Sequence, residues 1–69
     1  MANEIAKVIE LFSSSSKGIE DAVEKGLKKA SQTIKGIKGA WVNDIKVVTG
    51  NEGKIAEWRV SLKVTFVVD

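Results

Sequence analysis

The sequence predicts an α+β fold of the order β-α-β-β, with one helix on a three-stranded antiparallel sheet. Three observations predict it. The last sixteen residues, Lys54 to Asp69, alternate apolar and polar: Ala56, Trp58, Val60, Leu62, Val64, Phe66 and Val68 are separated by Glu57, Arg59, Ser61, Lys63 and Thr65. That period of two belongs to a strand with one buried face. From about Lys17 to Lys35 the apolar period becomes helical, and Gly50-Asn51-Glu52-Gly53 is a turn between two strand-like segments.

Ile5 to Phe12 is the first strand. Ala6, Val8 and Phe12 fall on one side and Ile5, Lys7, Ile9 and Leu11 on the other, so both faces are partly covered. Ser13-Ser14-Ser15-Ser16 reads as a turn and helix N-cap, because a Ser hydroxyl accepts from an orphan N–H of a first turn. A flexible linker is the lesser reading.

In the helix, Ile19, Ala22, Val23, Gly26, Leu27, Ala30, Ile34 and Ile37 form one stripe of mostly small residues, which lets the helix lie close to a sheet. Acidic residues occupy its first half and lysines its second, which complements the helix dipole. Asp21 with Lys25, and Glu24 with Lys28, have the favourable i, i+4 spacing. Gly36 and Gly39 supply the stop.

Ala40 to Thr49 is the second strand. Strict alternation puts Trp41, Asn43, Ile45 and Val47 on one face and Val42, Asp44, Lys46 and Val48 on the other. The third strand, Lys54 to Asp69, would extend roughly 45–50 Å, longer than a compact chain of this size is wide. It must bend or reach beyond its own subunit. Trp58, Val60, Leu62, Val64 and Phe66 are expected to face the helix. The opposite face is expected to carry Ile5, Ile9 and Leu11, with Trp41, Ile45 and Val47, and no helix remains to cover it.

Residues 1–69 have room for a single domain. A core this small needs a staple, and with no Cys and no His neither a disulfide nor a usual zinc site supplies one. Self-association remains. The net charge of +2, from eleven bases interleaved with nine acids, argues against a nucleic-acid partner. The helix lysines read as a solvated face rather than as an anion site. No apolar run reaches a membrane-spanning length, and Met1 to Lys7 lacks the basic-then-apolar order of a signal peptide, so a cytoplasmic, membrane-free protein is expected. With no His, Cys or Tyr, and no base in reach of the serines, catalysis is the weakest class, and the expectation is no enzyme.

Three stretches, taken in order, resemble the dodecin family: Val8-Ile9-Glu10-Leu11-Phe12-Ser13-Ser14-Ser15 ahead of the helix, Ala40-Trp41-Val42 opening the second strand, and Gly53 to Phe66 along the third. The resemblance covers essentially the whole chain. It implies a sheet wrapped around the helix and a hollow homododecamer. It also implies non-enzymatic storage of a flavin (FMN, riboflavin or FAD) at subunit interfaces, where the second-strand Trp stacks on the flavin ring.

Here that residue is Trp41, a large flat aromatic suited to stacking. Read without the family, Trp41 is an interface plug. The resemblance places Arg59 where flavin-binding members have a ring-edge Gln. An Arg offers donors only, so it cannot accept from a ring N–H as an amide can. Val42 and Asn43 complete the expected binding set, and a one-residue slip of the strand would exchange Trp41 for Val42 at the stacking position. Many bacterial members carry an Arg seven residues after the Trp, and Val48 stands there in this chain. The alternative is a dodecin-like shell that has lost or changed flavin binding. It would take an anionic small molecule, or calcium through Asn43, Asp44 and Glu57 across a subunit interface, or serve as structure.

Overall fold

A computed structural model describes residues 5–68. Met1–Glu4, where the signal-peptide reading begins, and Asp69, the expected end of the last strand, lie outside the described residues. The order is β1 (Ile5–Ser15), α1 (Ile19–Ser31), β2 (Ile37–Thr49), a short 3-10 turn (Asn51–Gly53) and β3 (Ile55–Val68). β3 lies in the middle of the sheet, antiparallel to β1 on one side and to β2 on the other. The best-alternating strand is therefore the one with neighbours on both edges.

The core forms where α1 crosses β3. Val60, Leu62 and Val64 are buried against Ala22 of the helix. Each such side chain contributes about 1.5–3 kcal/mol relative to exposure. The small-residue stripe has the expected effect. A Cβ on Gly26 would stand 3.1 Å from a Leu62 methyl and 3.1 Å from Ser13 Cβ, so glycine is what permits this approach.

Register corrects the expected faces. Ile9 pairs with Val64 and Leu11 with Leu62, which puts both on the helix side, where they pack on the core. The exposed apolar residues of β1 on the helix-free face are Val8 and Phe12. β2 departs from strict alternation as well. Val42 pairs with Leu62 and Asp44 with Ser61, leaving Asn43 as an extra, bulged residue. Beyond the bulge Ile45 and Val47 turn to the helix side with Val42, while Asp44, Lys46 and Val48 join Trp41. Further irregularities fall at Ile37/Gly39 and Val48/Thr49. Bulges bend a ladder locally and increase its twist.

The serine run is not an N-cap. Ser13 to Ser15 continue β1, and Gly18 caps the helix without a side-chain bond. Ser15, buried, instead accepts from the Lys17 N–H at 2.9 Å and donates its hydroxyl proton to Asp21 in the first helical turn. That bond and the Lys25 ammonium, 3.1 Å away, hold the Asp21 carboxyl below the usual 3.8. Among the described residues no ion pair joins Glu24 to Lys28. The helix is also shorter than its stripe. It ends at Ser31, and Ile34 N–H closes the last turn onto Ala30 C=O at 2.9 Å. Gly36 then reverses the chain at φ 79°, its carbonyl accepting from Val67 N–H at 3.0 Å, so β2 starts at Ile37.

The described chain is long: 56 × 19 × 14 Å, with a radius of gyration of 14.4 Å. A compact chain of this length has about 11 Å. A 13-residue helix covers about 20 Å of a β3 that extends about 46 Å. The far half of the sheet is left bare on its helix side, where Ile45 and Val47 are exposed and Trp58, expected as core, is half-buried.

Candidate functional site

The helix-free face carries the site. It is built from Phe12 and Ser14 of β1, Arg59, Ser61 and Lys63 of β3, and Trp41, Asp44 and Lys46 of β2. Phe12 pairs with Ser61, Ser14 with Arg59, Asp44 with Ser61, Lys46 with Arg59 and Trp41 with Lys63. Because paired residues of an antiparallel ladder point to one side, all eight share the face.

A groove of about 400 Å³ opens on it, lined by Phe12, Ser14, Asp44, Lys46, Arg59 and Ser61. Its floor is satisfied: Ser61, buried, donates to Glu10 Oε2 at 3.2 Å. Its rim is not. Phe12 is 78% exposed and Trp41, beside the groove and not lining it, is 64% exposed. Rings of that size left open on one face mark a contact surface.

The electrostatics are mixed. Lys46 and Arg59 are like charges directly across the ladder, an arrangement that costs stability unless something stands between or beside them. Glu57 does part of this, accepting from Arg59 Nε at 2.6 Å and so orienting the guanidinium. Asp44 is the one acid that lines the groove.

Of the residues expected from the sequence, Trp41 and Arg59 do lie on one face, but not side by side. Arg59 is four positions along β3 from Lys63, the partner of Trp41, about 13 Å away. Val42 is on the helix side, and Asn43 is the bulged residue itself. Within one chain Asn43, Asp44 and Glu57, suggested as calcium ligands across a subunit interface, do not meet. Glu57 pairs with Val48 at the far end of the ladder and is engaged by Arg59. The sequence singles out neither Lys46 nor Phe12 as a site residue, and Asp44 only as a calcium ligand. The available signal was Asn43-Asp44 in mid-strand, two poor strand formers in succession where a bulge reverses the alternation.

The Dodecin family model matches residues 5–69. The chain belongs to the dodecin family. Dodecins are known as non-enzymatic flavin-binding proteins. Its fold is similar to that of the dodecin from Streptomyces davaonensis, at 31% identity and a TM-score of 0.90, covering 99% of this chain and 98% of that one. The dodecin from Streptomyces coelicolor is similar at 29% identity and a TM-score of 0.91, covering 100% and 97%. A Thermus thermophilus dodecin with a Trp changed to Phe has 28% identity and a TM-score of 0.90, covering 97% and 98%. Variants of that protein with an Arg changed to Ala match equally well in fold. No curated protein sequence matches the chain. Among dodecins, then, the β-α-β-β subunit with a three-stranded antiparallel sheet and one helix is the expected architecture, and this chain has it.

Proposed function

We propose that this dodecin stores flavin without catalysing a reaction, in a homododecamer whose subunit interfaces stack the flavin ring on Trp41. The observation that carries the reading is Trp41 itself: an indole 64% exposed, on the helix-free face that also holds the groove. Exposed on a single subunit, it offers a flat apolar surface to a planar ring. The face suits a flavin in its polar groups too, since Arg59 and Lys46 donate and Asp44 accepts.

The assembly reading rests on shape. Each subunit leaves Val8, Phe12, Ile45 and Val47 exposed along a body 56 Å long, and copies of the chain are the covering that needs no other partner. In the Thermus thermophilus series one replaced Arg lies seven residues after the replaced Trp. Val48 at that spacing here removes a cation from the flavin face, and Lys46, two residues earlier on the same side, keeps one there.

One experiment tests both parts. The protein is mixed with riboflavin and sedimented while absorbance is followed at the flavin band. The expected result is flavin moving with a dodecamer. Flavin left at the meniscus, or protein sedimenting as a monomer, contradicts the reading.

A further inference from the structure

We infer that Asp44, with Lys46 and Arg59 beside it, reads the pyrimidinedione edge of the flavin, and that Asp44 accepts the ring N–H. The inference rests on the flavin reading above and assigns the residue that sets its specificity.

The edge in question presents a carbonyl, an N–H and a second carbonyl in a row. A protein surface that complements it needs an acceptor flanked by donors. Arg and Lys are donors only, and an ionised carboxylate is an acceptor only. The groove holds one acid and two bases in suitable places. Asp44 and Lys46 are next neighbours on one side of β2, and Arg59 stands directly across from Lys46 and diagonal to Asp44. Diagonal neighbours in a ladder are about 7–8 Å apart at Cα, within reach of long side chains.

These groups are not spent on one another. Among the described residues neither Asp44 nor Lys46 forms an ion pair, although they are opposite charges on one side of one strand. Arg59 is held through Nε by Glu57, which leaves its two terminal nitrogens outside that bond. The acceptor is also near the stacking surface. Trp41 and Asp44 are three residues apart on one strand, no more than about 10 Å, and the Asn43 bulge puts them on the same side. A tricyclic ring lying on Trp41 along β2 brings its polar edge over Asp44.

The test compares riboflavin with 3-methylriboflavin, in which the N–H is replaced, by quenching of flavin fluorescence. For the native protein the expectation is about tenfold or greater preference for riboflavin, since a site built to bond an N–H rejects the analogue lacking it. Asp44→Ala is expected to weaken riboflavin about tenfold and to leave 3-methylriboflavin unchanged or tighter, so the preference collapses. Asp44→Asn, which retains an acceptor oxygen, is expected to keep much of it. Should Asp44→Ala fail to assemble on sedimentation, the Asn variant and the native preference decide. Equal binding of the two flavins by the native protein, or a preference that survives Asp44→Ala, overturns the assignment while leaving flavin storage intact. No quenching of either flavin by the native protein overturns both.

Discussion

Trp41 and Asp44 share the helix-free face of the sheet because Asn43, between them, is left out of the β2–β3 ladder. Strict alternation would put them on opposite sides. One bulged residue thus joins the aromatic surface to the charged groove, and it turns Ile45 and Val47 toward the helix side.

The Asp21 carboxyl ties β1 to the helix, and its proton affinity gives a prediction about acid. The Ser15 hydroxyl, first, and then Lys25 depress its pKa below the usual 3.8. A group whose folded pKa is depressed adds stability that is fully present above its unfolded value and is lost as pH falls through the folded one. The expected outcome is that Asp21→Asn is less stable than the native protein near neutral pH, and that the gap closes below 3.8. Urea midpoints measured along that range check it. A gap independent of pH contradicts the linkage.

Gly26 decides how near the helix sits to β3. Gly to Ala in a helix normally gains up to about 1 kcal/mol in propensity. Here the added methyl meets Leu62, Ser13 and Leu11 at 3.1–3.2 Å, in the packed core. Overpacking costs about 1–3 kcal/mol. Gly26→Ala is therefore expected to destabilise by up to about 2 kcal/mol, read as a lower denaturant midpoint at unchanged m. A stabilised variant would mean that the helix moves away freely.

In the hairpin turn Glu52 sits at φ 60°, in the left-handed region. That conformation costs a non-glycine residue about 1–2 kcal/mol, less for Asn. Nothing in the turn engages the Glu52 side chain among the described hydrogen bonds and ion pairs. Glu52→Asn is expected to raise stability by about 0.5–1 kcal/mol, seen as a higher melting temperature with flavin affinity unaltered.

Most of the fold was legible because two periods are written plainly. The stripe from Ile19 to Ile37 and the alternation from Ala56 to Val68 placed the helix and the central strand on each other. The less legible parts are those where one residue changes the side of all that follow. β1, apolar on both sides, gave no clear sign that Ile9 and Leu11 face inward; their pairing with Val64 and Leu62 decides it. The Asn43 bulge hid the partnership of Trp41 with Asp44 and Lys46. The serines looked like a cap by composition, yet Ser15 acts from the strand, through a side-chain bond six residues long in sequence. Trp41 and Arg59 came from family resemblance, and the ladder puts them on one face but apart.

The most direct test of flavin stacking is a riboflavin titration of the native protein and of Trp41→Ala, followed by flavin fluorescence. Trp58→Phe serves as control, because Trp58 lies on the helix side, paired with Ser15 and Val47. Strong quenching by the native protein is expected, retained in Trp58→Phe at some cost in stability and lost in Trp41→Ala. Quenching of equal strength in Trp41→Ala would contradict stacking on Trp41, and the ring would then have to lie elsewhere than on this face of β2.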